Sequence, residues 1–154
     1  MKLIHNRSIL YIIVILTVLI CPRIEARNTK NIDSTFIKSV LPNGLTYYIK
    51  NLPEAGDKIS MQFLLNAGSR VEEDDQQDIS HVIEHLAFRT TKNFPQGISN
   101  NSELLKSMGM FGVGIDILAF NGSAGTIYIF NANNHYSQSI DTGLLWFGDI
   151  LGGL

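Results

Sequence analysis

Three side chains within five residues could do chemistry together: His81, Glu84 and His85, in the stretch Ile79-Ser80-His81-Val82-Ile83-Glu84-His85-Leu86-Ala87-Phe88. On a helix, residues four apart lie one turn above the other, which puts the two imidazoles on one face with Glu84 beside it. Two neutral imidazoles at that spacing can grip a Zn²⁺ ion, and a neighbouring carboxylate can take the proton of a water that the metal activates. The order His-x-x-Glu-His reverses the commoner His-Glu-x-x-His zinc helix and is itself a metallopeptidase signature. The competing reading is a hydrogen-bonded polar cluster inside the fold. Burying three such groups without full partners costs about 1–3 kcal/mol each. Spacing alone leaves both readings open.

The elements around this motif must position it. Val82, Ile83, Leu86 and Phe88 supply apolar stripes that would bury the helix, which the pattern places at residues 74–90, ahead of Asn93-Phe94-Pro95-Gln96-Gly97. Glu72, Glu73, Asp74 and Asp75 read as charges complementing the positive end of that helix, not as a calcium site. Upstream, an Asn43-Gly44 turn ahead of Thr46-Tyr47-Tyr48-Ile49-Lys50 predicts a hairpin, and residues 58–66 read as a strand. Downstream, a short helix over 102–108 ends at Gly109. Residues 115–120 and 126–131 form two β-prone runs joined by Asn121-Gly122-Ser123-Ala124-Gly125. From Tyr136 onward Ile140, Leu144, Leu145, Phe147, Ile150 and Leu151 suit an amphipathic helix interrupted by Gly143 and Gly148. Leu144, Trp146 and Phe147 belong either to the domain's own core or to a face exposed for another segment. His135 reads as a surface or capping residue.

Length and charge bound the function. The chain has 154 residues, 45% hydrophobic and 17% charged, enough for one domain with a core. Residues 1–26 read as a signal peptide or a retained N-terminal anchor. Lys2 and Arg7 precede an apolar run at 9–21, which is shorter than the roughly 20 residues that span a bilayer. Residues 27–37 read as a polar leader and 38–154 as the folded domain. An extracytoplasmic location, secreted or periplasmic, follows, with residues 9–21 as the anchor if they are retained. Cys21 is the only cysteine, so a disulfide framework, a Cys-ligated zinc and a cysteine nucleophile are excluded from the mature chain. The net charge of −2 includes a contribution of +2 from residues 1–26, leaving −4 beyond them. With no basic patch, nucleic acid is not an expected partner.

Four separated blocks carry a family resemblance: Leu41-Pro42-Asn43-Gly44-Leu45, Asn66-Ala67-Gly68-Ser69, His81 to Phe88, and Thr91-Lys92-Asn93-Phe94-Pro95. In order and spacing they resemble the M16 metallopeptidases, the pitrilysin and insulinase family, and within it a bacterial secreted zinc-protease branch. The resemblance implies an α+β fold, an antiparallel sheet with helices packed on one face. It implies Zn²⁺ as cofactor, His81 and His85 as metal ligands and Glu84 as the general base of peptide hydrolysis. A peptide or protein would be the substrate, in a chamber closed by a second M16-type half-domain. The segment 115–120 resembles the strand that pairs with substrate backbone, and Ala119 carries over as a substrate-binding residue. Three departures stand beside the match. The family's third zinc ligand is a glutamate farther downstream, and no glutamate follows Glu103. The substrate strand has Leu118-Ala119 where the family has Asn-Ala, and Gly125 replaces an acidic residue. The sequence therefore predicts either the N-terminal piece of a zinc endopeptidase or a truncated, non-catalytic homologue serving as a peptide-binding or assembly module.

Overall fold

A computed structural model of the chain describes residues 35–153. The expected signal or anchor segment, and most of the leader, lie outside these residues. The described part divides after Asn51 into two units.

The first unit is a hairpin. Strand β1 (Phe36–Val40) pairs antiparallel with β2 (Thr46–Lys50), so the first strand opens two residues ahead of the expected domain start. The turn forms where the sequence placed it. Leu41 and Leu45 close it through backbone bonds, and the Asn43 side chain accepts from the Leu45 N–H at 3.1 Å. Cross-strand pairs put a cation over a ring twice, Lys38 over Tyr48 and Lys50 over Phe36, at 5.3 and 5.0 Å from the centroids.

The second unit holds the site. Strands β3 (Lys58–Leu65), β4 (Ile117–Asn121) and β5 (Thr126–Asn133) form an antiparallel sheet in the order β3-β5-β4, with β4 at an edge. Helix α1 (Ile79–Leu86) packs against β4, and α3 (Gln138–Gly152) packs against β5; α2 (Ser102–Ser107) lies between them in sequence. The fold is thus α+β, as expected. Side chains alternate across each strand. Phe63 on β3 stands opposite Tyr128 on β5, which stands opposite Ala119 on β4; Met61, Phe130 and Ile117 form the next row. This face is the buried one: Phe63, Tyr128, Phe130 and Ile117 are all enclosed.

Trp146 is the centre of that core. It is fully buried, with Tyr128 edge-on at 5.9 Å between ring centroids and Phe88, Phe130 and Phe147 within 6.4 Å. Of the three residues weighed as a possible exposed face, Trp146 is core, whereas Leu144 is solvent-exposed. The expected interruptions of α3 at Gly143 and Gly148 do not occur. Gly143 instead allows close approach to the sheet, since a Cβ there would lie 2.1 Å from the Met61 methyl and 3.0 Å from the Phe130 ring. Among the described residues no helix is long and apolar enough to cross a membrane.

A buried carboxylate near the end of α3 ties it to the segment after α1. Asp149 accepts from the Thr91 hydroxyl at 2.5 Å, the Asn93 backbone N–H at 2.8 Å and the Asn93 side-chain amide at 2.6 Å. Burial pushes its carboxyl up, but the Thr91 and Asn93 donors and the Lys92 charge outweigh that and hold it below the ordinary 3.8. A carboxyl whose pKa falls on folding adds stability that is complete above its unfolded value and is lost as pH falls through the folded one. Asp149→Ala should therefore cost roughly 2–4 kcal/mol in urea unfolding at neutral pH, because one buried donor and two half-buried ones lose their acceptor. In Asp149→Asn the decline of stability below pH 3.8 should be shallower than in the wild type.

Candidate metal centre

Helix α1 brings the three expected residues together. The Nε2 atoms of His81 and His85 are 3.1 Å apart, and their rings lie 4.8 Å apart between centroids with 42° between their planes. One ligand atom each from His81, Glu84 and His85 falls within a 4.8 Å group. Two zinc–nitrogen bonds of normal length at a tetrahedral angle separate their nitrogens by about 3.3 Å, so the pair fits one shared ion. Both histidines are exposed to solvent, whereas Glu84 is only 8% exposed. No described residue donates a hydrogen bond to the Glu84 carboxylate, which leaves its lone pairs available to a water. Among the described residues the cluster supplies two imidazoles and this one carboxylate; no other group of potential ligands accompanies them.

Glu84 also acts on the core beneath it. Burial, and then the negative charge of Glu84, push the Tyr128 phenol up to about 12. Tyr128 therefore remains a neutral, protonated hydroxyl at any working pH, buried with no partner for its oxygen among the described residues.

The helix is shorter than its pattern. It spans Ile79–Leu86, not 74–90, because Asp78 takes a left-handed backbone with φ 68° that no helix continues through. The acidic run lies in the turns before the helix. Glu72 performs the capping that Asp78 does not. Its carboxylate accepts from the Asp78 N–H at 2.9 Å, from the Ser80 N–H at 2.8 Å and from the Ser80 hydroxyl. Those Ser80 bonds, hydroxyl first, hold the Glu72 carboxyl below its ordinary value. Glu72 lies eight residues before Ser80, beyond the local capping box that sequence reading looks for, so only the folded chain reveals it.

Orientation of the helix corrects a second expectation. Val82, Ile83 and Leu86 do not bury it: they are 56%, 42% and 47% exposed, and Ile79 joins them in an outward stripe. The inward side carries Glu84, Ala87 and the half-buried Phe88. The cause is the hold that α3 takes on the end of the helix, where the buried Trp146 indole N–H donates to the Ala87 carbonyl at 2.8 Å.

At the other end, backbone contacts lead from the sheet to the cap. Thr126 donates its hydroxyl to the Ala67 carbonyl at 2.8 Å, and the Arg70 N–H donates to the Ser123 carbonyl at 3.0 Å. The turn at Ser69–Val71 then packs against α1. The remaining site residue, Ala119, sits on the edge strand. Asp116 accepts from the Asn131 N–H on the β5 side, so the antiparallel alternation turns the amide and carbonyl of Ala119 toward the open edge. His135 pairs with Asp57 at 2.8 Å on the surface, away from any ligand role.

The chain is similar to known proteins in sequence and in fold. The family model of insulinase (peptidase family M16) matches residues 49–145. A probable zinc protease PqqL of Haemophilus influenzae is 30% identical over 131 residues, covering 84% of this chain and 14% of its own length. Its Escherichia coli counterpart is 31% identical over 96 residues, 62% of this chain and 10% of its own. The crystal structure of the periplasmic protease PqqL from Escherichia coli superposes with a TM-score of 0.68 at 27% identity, over 77% of this chain and 13% of that one. The separately crystallised first half of the same protease gives 0.68 at 28% identity, over 77% of this chain and 25% of that one.

Glu72→Ala should loosen the start of the helix alone. Hydrogen exchange at the Asp78 and Ser80 amides should accelerate about tenfold, with the Ala87 amide unchanged. Equal acceleration at both ends would mean that the cap does not act locally.

Proposed function

The chain belongs to the insulinase family, peptidase family M16, and we propose that it supplies the zinc-binding, peptide-engaging part of an extracytoplasmic metalloendopeptidase. The observation that carries this reading is the His81–His85 nitrogen pair, 3.1 Å apart beside a buried Glu84 that has no donor among the described residues. His81 and His85 would hold the ion. When bound, zinc supplies Lewis acidity, lowering the pKa of water to near 7 and polarising a carbonyl.

The chain's own residues do the rest. Glu84, enclosed beside the two imidazoles, accepts the proton of the attacking water and can pass it to the leaving amine. Tyr128 beneath it stays neutral and adds no charge of its own. Ala119 presents one amide and one carbonyl to an extended peptide, so a substrate can add as a strand beside β4 and be held in line with the helix packed on that strand. A second M16-type half-domain would close the chamber around it. The H. influenzae and E. coli relatives are named zinc proteases, and the E. coli one periplasmic, which supports the metal and the location proposed here.

A second reading rests on the ligand count. Catalytic zinc ordinarily has three protein ligands, and the described residues provide two imidazoles with Glu84 reserved as base. On that reading the chain is a non-catalytic homologue that binds peptide or assembles with other segments. Zinc analysis of the purified chain separates the two. Near-stoichiometric zinc is expected in the wild type and in Glu84→Gln, and its loss is expected in His81→Ala and His85→Ala. Zinc in the wild type no higher than in the histidine variants would favour the second reading.

A further inference from the structure

The loop that leads into β4 carries an unusual surface. Phe111 is 85% exposed, the most exposed large apolar side chain among the described residues, and Ile115 and Val113 beside it are 63% and 43% exposed. An apolar loop of this kind would ordinarily fold back on itself, yet this one is held open by hydrogen bonds. The Asp116 carboxylate accepts from the Phe111 and Gly112 amides, at 2.5 and 3.0 Å. The Gly112 carbonyl accepts from the amides of Ile115, Asp116 and Ile117. Gly112 and Gly114 sit at φ 122° and 89°, which side-chain-bearing residues rarely adopt.

The loop also lies at the open edge of the sheet. In the same alternation that turns Ala119 outward, the Ile117 carbonyl points to that edge, and the Gly114 N–H takes it at 2.9 Å. Residues 111–115 therefore occupy the first position of the edge, and the next free backbone pair is that of Ala119. Phe120, farther along the strand, is 57% exposed. A peptide strand added at Ala119 must run up to this apolar ledge.

Resting on the strand-addition reading above, we infer that the 111–115 loop is a specificity element that selects a large apolar side chain in the bound peptide, with Phe111 as its principal contact. The backbone edge accepts any extended sequence; the ledge discriminates among them by the apolar area it can bury.

Fluorescence anisotropy with the full chain tests this, using labelled eight-residue Ser/Thr peptides that carry a single Phe moved through each position, and the all-Ser/Thr parent. At one position or two neighbouring ones, the Phe peptide should bind the wild type about tenfold more tightly than the parent, the gain from burying one large apolar side chain. Phe111→Ser should abolish that preference and leave the affinity for the parent unchanged. Because Phe111 contributes nothing to the core, the far-ultraviolet circular dichroism and melting temperature of the variant should match the wild type. Ala119→Pro, which removes an outward N–H without breaking the ladder to β5, should weaken both peptides. If both peptides bind and Phe111→Ser changes neither, the specificity role is overturned and the edge reading survives. If no peptide binds, or if Ala119→Pro leaves binding intact, the edge reading falls and the specificity role with it.

Discussion

The hydrogen bond from the Trp146 indole to the Ala87 carbonyl, 2.8 Å long and fully buried, is the contact on which the candidate site depends. Helix α1 has eight residues, well below the length at which a helix persists alone in water. Its apolar stripe faces outward and gives it little grip on the sheet. What fixes its rotation is the indole reaching up from the core to its C-terminal turn. That rotation places Glu84 inward and the two imidazoles at the rim, one buried carboxylate beside two accessible rings. Asp149 repeats the logic a turn further along α3, holding Thr91 and Asn93 of the segment that leaves the helix.

The opposite end of α1 is secured through the backbone. The β4–β5 turn holds the chain after β3, that chain makes the Ser69–Val71 turn, and Glu72 then caps the helix. Metal-ligand geometry demands that two imidazoles one turn apart stay in register within a few tenths of an ångström. A two-turn helix pinned at both ends meets that demand; a longer free one need not. The edge strand beside it is organised by the same sheet, so the groups that would hold a metal and the groups that would hold a peptide share one support.

What could be read in the sequence was local. The His-x-x-Glu-His spacing specifies a shared helical face by itself, and the Asn43-Gly44 turn specifies its hairpin, because both depend on neighbours a few residues away. The four blocks of family resemblance gave the sheet and its edge strand. The long-range partners were not legible. Nothing in the chain marks Asp149 as the acceptor for Thr91 and Asn93, more than fifty residues upstream. The acidic run looked like the helix start; it is a turn, and Glu72 alone reaches the helix. Val82, Ile83 and Leu86 have the periodicity of a buried stripe, and periodicity reports that a face is apolar without reporting what covers it. Gly143 looked like an interruption because helix propensity counts against glycine, whereas packing against Met61 and Phe130 makes its missing side chain the condition for the helix to dock.

The central claim is that the two imidazoles of α1 share one ion. X-ray absorption at the zinc edge on the zinc-loaded chain examines it most directly, because imidazole rings leave a distinct multiple-scattering signature. Two imidazole nitrogens at about 2.0 Å in the wild type, with that signature absent in His85→Ala, is the result the account predicts. A zinc shell made of oxygen alone, or one that His85→Ala leaves unchanged, would contradict it.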